Sequence, residues 1–259
     1  MHELKGTEPI SAPTEAIVPA RAGAGLRPAV AQALQRIAHQ HADRRADREL
    51  DRALERLARW QSARLGRTYE DLARDPRYAG AIRFFQTDLY GSADFAARDA
   101  DLARAVPSMV RILSDRLVAS LAQALELNAL SQELDRRLLE RLPSRDGAFT
   151  VAQYCDAYRA MDCRSERERQ LHLIQAFGHA LDIHVRKPLV YAALVAMRRP
   201  ARAAGFAALQ SFLERGFGAF RKMGGAATFL ATIDARERAL MQAIFDGDRA
   251  PFADPVANG

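Results

Sequence analysis

Cysteine is almost missing from this chain: Cys155 and Cys163 are the only two. On one expected helix their spacing closes no unstrained disulfide and fits no zinc pattern, so both read as free thiols. Lysine is nearly as scarce, at Lys5, Lys187 and Lys222 alone, so the formal net charge of +6 is carried by arginine. Runs such as Arg44-Arg45 and Arg136-Arg137 sit among Asp43, Asp47, Asp135 and Glu140. That mixture dilutes these two runs, though not Arg198-Arg199-Pro200-Ala201-Arg202, and without clear clustering the basic excess argues against a nucleic-acid partner. Long apolar runs are missing too. Charges interrupt each one within a few residues, which excludes a membrane span and leaves the cytoplasm as the expected compartment. Residues 1–25 hold three prolines and no apolar signal-peptide core, so they read as a disordered tail.

Chemical signatures are equally sparse. There is no Gly-rich phosphate loop, HExxH, GxSxG or dinucleotide fingerprint, and none of the Glu-x-x-His pairs of a di-iron bundle. Nothing calls for a cofactor, and no residue set is assigned to a metal. Neither an alternating strand pattern nor a repeat of ~20–50 residues is visible.

What is present is helical spacing almost throughout. It predicts an all-α fold, a multi-helix bundle of roughly eight helices. A long N-terminal helix runs from Leu26 to about Leu65, with the polar stretch HQHADRRADRELD in its middle as either a solvated face or a break. Asp75-Pro76 starts a helix that Gly91 ends, and Asp94 caps another that stops before Pro107. Helical spacing from Pro107 to Leu142 is punctuated at Ser114 and Asn128. The loop Pro143–Gly147 is the best candidate for a subdomain boundary. Thr150 caps a short helix. Ser165 opens a long one, kinked at Pro188, whose apolar stripe runs through Leu171, Phe177, Leu181, Val185, Leu189 and Ala192. Two further helices flank Gly224-Gly225. The expected organisation is one helical domain over 26–246 and a flexible tail over 247–259.

Two carboxylates stand on apolar helix faces, where an unpaired charge is expensive. At 100° per residue, Asp88 falls between Phe84 and Leu89, and Glu237 falls in the middle of an arc that includes Leu230, Ile233 and Met241. Arg77, Tyr78 or Arg98 could satisfy Asp88 structurally. His179 lies on a polar helix edge with His172, and His184 borders the apolar face as an interfacial histidine.

The run Trp60-Gln61, Arg64-Leu65, Thr68-Tyr69, Pro76-Arg77-Tyr78, Phe84-Phe85-Gln86-Thr87-Asp88-Leu89-Tyr90-Gly91 and Asp94-Phe95 resembles the bacterial FFLEELY motif proteins. The similarity is dense over about residues 57–110. It implies a helical bacterial protein of a family with no assigned activity. Gln86 and Thr87 replace the leucine and first glutamate of that motif, and Asp88 keeps its second acid one methylene shorter. An arginine-held structural carboxylate tolerates such shortening better than a catalytic acid does.

Three readings follow. The first, preferred here, is a non-enzymatic module that binds a partner protein or peptide between helices. The second is an aromatic cavity near Phe84, Tyr90, Phe95 and Tyr191 that takes an apolar small molecule or lipid. The third is an enzyme with Asp88, Glu237, His179 or His184 in one cleft. The binding candidates are accordingly Arg77, Tyr78, Phe84, Asp88, Tyr90, Phe95, Arg98, His179, His184 and Glu237. Homo-oligomerisation stays open.

Overall fold

Among the residues that the computed structural model describes, 22–89, 95–145 and 147–255, every regular element is helical. Twelve α-helices and one π-helical turn replace the roughly eight helices expected, because several expected helices divide at caps and prolines. The expected N-terminal tail lies outside the described residues up to 21, and Ala22 already opens a helix.

The long N-terminal helix is two helices, α1 (Ala22–Ala46) and α2 (Arg48–Thr68). The polar stretch between their apolar ends is the break. Asp47 leaves helical geometry, and its carboxylate accepts from the backbone N–H groups of Glu49 and Leu50, both at 2.9 Å. This N-cap satisfies donors that a new helix would otherwise leave unpaired. From there α2 buries Leu50, Ala53, Leu57, Trp60, Gln61 and Leu65 on one face.

Asp75 starts a turn rather than a helix. Short α3 (Glu70–Arg74) precedes it, and α4 (Ala79–Phe84) follows and widens into a π-helical turn at Phe85–Leu89. Helix α5 (Phe95–Ile112) continues through Pro107, where a stop was expected. Pro107 and Ala103 are both exposed, so water can take the one carbonyl that the proline leaves unpaired, while Val106 and Val110 stay buried. Helix α6 (Asp115–Arg141) begins after Ser114 as expected and runs unbroken past Asn128. Helix α7 (Val151–Ala160) opens with a capping box between Thr150 and Gln153.

Pro188 does not kink the next helix; it starts another. Helix α8 (Arg164–Val185) ends before it, and α9 (Pro188–Ala196) carries it in its first turn, where a missing N–H costs nothing. Helices α10 (Arg198–Ala203), α11 (Ala207–Lys222) and α12 (Ala227–Phe245) complete the described helices.

Three apolar clusters form the interior. The first joins Trp60 and Leu138 to Tyr154, Leu171 and Met241, so residues on both sides of the 143–147 loop share one core. The second packs Tyr69 and Ile82 against Phe220, Phe229 and Leu230. The third holds α1 against α5 and the first half of α6 through Val30, Val106 and Leu125. Beyond α12, Arg249 pairs with Asp156, and Phe252 packs on Trp60 and Tyr154. The described part of the expected flexible tail is therefore held to the core. Cys155 sits in α7 and Cys163 caps α8; both are buried free thiols, and burial pushes the Cys155 thiol up to about 11.

Candidate functional site

The aromatic helix around Asp88 is a structural junction. The Asp88 carboxylate is buried and accepts from Nε of Arg215 on α11 at 2.7 Å. An arginine does hold it, but none of the candidates Arg77, Tyr78 and Arg98: the carboxylate is held by Arg215. Arg77 donates from Nε to the carbonyl of Met223 at 2.6 Å and from Nη2 to that of Gly225 at 3.2 Å, tying the approach to α4 onto the glycine turn. Arg98 donates to the Asp88 backbone carbonyl at 2.9 Å and covers the Phe212 ring. A π-turn frees carbonyls that an α-helix would pair. Here Arg98 takes that of Asp88, Ser62 takes that of Gln86, and the Thr87 hydroxyl lies 2.9 Å from that of Arg83. Thr87 therefore serves the turn in its own way, since its hydroxyl also lies 2.8 Å from the Asp88 carboxylate.

The neighbouring aromatic residues fill space. Tyr78 packs at a tilt against Phe229, with centroids 5.4 Å apart. Phe84 packs against Phe85 and Phe212, and a Cβ added to Gly216 would lie 2.9 Å from its ring. On its described sides the volume beside Phe84 is occupied by these groups. Tyr90 and the Phe95 side chain lie outside the described residues.

Glu237 also belongs to a structural pair. It accepts from Arg64 at 2.7 and 3.2 Å and from the Tyr69 hydroxyl at 2.7 Å. Burial alone would raise its carboxyl, but the Arg64 charge and these hydrogen bonds outweigh it and hold the group below the usual carboxylate range. His184 lies 3.2 Å from the Ser120 hydroxyl, and burial and then Lys187 push its imidazole down. His179 is exposed. Asp88, Glu237 and His184 thus have separate partners while His179 stands exposed, and they form no common constellation. Among the described residues, no three His, Cys, Asp or Glu side chains gather as a metal-holding group.

A buried polar set escaped the sequence reading. Gln61 donates to Asp135 at 3.0 Å, and Arg167 lies over the Tyr158 ring at 4.4 Å. Burial pushes the Asp135 carboxyl up, against the Gln61 hydrogen bond and the Arg167 charge. Arg167 is 6% exposed; Nη1 reaches Gln170, while Nε and Nη2 have no hydrogen-bond partner among the described residues. Nothing in the polar run RSERERQ distinguishes this arginine from its exposed neighbours. Those nitrogens are out of contact with solvent, so the set reads as a core network.

The surface exception is α9. A surface helix normally pairs an apolar inner face with a polar outer one. Helix α9, with the sequence PLVYAALVA, is apolar on both. Val190, Tyr191, Leu194 and Val195 are half-buried toward α8, α10 and α11. Leu189, Ala192, Ala193, Ala196 and Met197 form the opposite stripe, all exposed, with Leu189 at 84%. Leu189 and Ala192 were expected to extend the core stripe of α8. The new start at Pro188 takes them out of it.

A family model described as a domain of unknown function (DUF8198) matches residues 40–251. No curated protein and no solved structure matches the chain. Among the described residues, no helix is long and apolar enough to cross a membrane.

Proposed function

The chain belongs to the DUF8198 family, and on that footing we propose that it is a non-enzymatic docking module that holds a partner protein against α9. The observation that carries this reading is the exposed stripe Leu189, Ala192, Ala193, Ala196, Met197 on a helix that buries no residue. A contiguous apolar surface in water is a liability unless something covers it. The small residues in the stripe suit close approach by another helix, in the helix-in-groove manner of peptide recognition. Asp88, Glu237 and His184, which could have supported chemistry, are engaged in separate structural contacts, which favours docking over catalysis. We also propose that the FFLEELY resemblance, which falls inside the matched span, marks the packing of the junction around Asp88 rather than the docking face.

The test compares affinity-purified wild type with Leu189→Asp from the protein's own host. A discrete protein that accompanies the wild type and is absent from the variant supports the reading. Identical companions for both would refute it.

A further inference from the structure

We propose that the partner segment is an amphipathic helix with an apolar seam and acidic flanks; this rests on α9 being the docking face. The surroundings of the stripe are of one sign. Arg186 and Lys187 stand at its N-terminal end, Arg198, Arg199 and Arg202 follow its C-terminal end, and Arg221 lies against its side, 4.5 Å over the Tyr191 ring. The nearby acids are already engaged. Asp182 is bound by Arg186 at 2.6 Å and by the backbone N–H of Ala226 at 3.1 Å. Glu214 is bound by Arg198 and by Gln210, which also anchors the Leu194 carbonyl of α9. Lys187, Arg199 and Arg202 are exposed and make no ion pair among the described residues. They are open to solvent, although the Arg202 charge also acts on Glu214 and that of Lys187 on His184.

That arrangement discriminates between occupants. A second copy of this chain would bring basic ends against basic ends whether the two α9 helices ran parallel or antiparallel, and like charges at a rim disfavour pairing. A lipid surface would reward bulky anchors such as Trp, Phe and Leu. Ala192, Ala193 and Ala196 add little to insertion, yet they let a facing helix approach closely, with its side chains seated between ridges. Acidic flanks on such a helix would meet Lys187 at one end and Arg199 and Arg202 at the other. They would raise the association rate and fix the direction of docking.

The experiment uses the full chain and two designed amphipathic peptides of equal length and identical Leu/Ala seam, one flanked by Glu and one by Lys. Binding is followed by fluorescence anisotropy. The Glu peptide is expected to bind at least about tenfold more tightly than the Lys peptide, with the preference shrinking as salt rises from ~50 to ~300 mM. The triple variant Lys187→Glu, Arg199→Glu, Arg202→Glu is expected to reverse the preference with an unchanged circular dichroism spectrum. Equal binding of both peptides, lost in Leu189→Asp, would overturn the acidic partner while leaving α9 as the docking face. Glu-peptide binding that Leu189→Asp leaves intact would overturn both. Tighter binding to vesicles of phosphatidylserine and phosphatidylcholine than to either peptide, or a Leu189-dependent dimer in light scattering, would also overturn the proposal.

Discussion

Arg215 Nε donates to Asp88 Oδ1 at 2.7 Å, joining the π-turn after α4 to α11 across a sequence separation of 127 residues. The carboxylate is almost fully covered while the guanidinium is half exposed. Solvent screens the arginine, so the pair is worth less than a fully buried one. Asp88→Asn should cost about 1 kcal/mol, seen as a lower Tm with an unchanged circular dichroism spectrum. A variant as stable as wild type that failed to bind its partner would instead make Asp88 a functional group.

Glu237 and Arg64 are more enclosed, and removing one charge strands the other. Glu237→Gln should cost roughly 3 kcal/mol at neutral pH. The sign of the pH dependence follows from the lowered carboxyl. Its contribution is complete above the unfolded value near ~4.3 and is lost as pH falls through the folded one. Tm measured across acid pH should therefore bring wild type and variant together at low pH; a constant gap would contradict the assignment.

The helical class was legible because apolar spacing and caps are local signals: Thr150 and Ser114 start helices where the sequence says they should. Asp88 and Glu237 were legible as partnered acids because a carboxylate on an apolar face needs a partner. Their partners were not. Arg215 and Arg64 lie far away in sequence, and their choice depends on how helices pack. The division at Pro188 was misread for the same reason, since a kink and a fresh helix start share one local signature. With it went the exposure of Leu189, the residue on which the docking face rests.

Asp135 makes the opposite pH prediction. Burial raises its carboxyl, so the stability tied to its protonated form is full below the ordinary value of ~3.9 and is lost as pH rises through the folded one. Asp135→Asn keeps a neutral group beside Gln61. Its Tm should equal or exceed that of wild type at neutral pH, with the advantage vanishing in acid. A marked drop at neutral pH would show an ionised Asp135 serving as counter-charge to Arg167.

Gly216 lets α11 approach the Phe84 ring. Alanine there gains up to ~1 kcal/mol of helix propensity. Its Cβ, however, would stand 2.9 Å from a rigid, buried ring, an overpacking cost of about 1–3 kcal/mol. Gly216→Ala should lower Tm on balance, whereas a rise would mean that the ring yields freely.

The docking face of α9 is tested most directly by a photo-crosslinking residue placed at Ala193, in the middle of the exposed stripe, and at exposed Arg52 on α2 as control. In living host cells, illumination should give a discrete covalent adduct with one partner protein at position 193 and none at 52. The adduct should disappear when Leu189→Asp is added, a change expected to alter folding stability by no more than about 0.5 kcal/mol. No adduct at 193, or the same adducts at both positions, would contradict a docking role for α9.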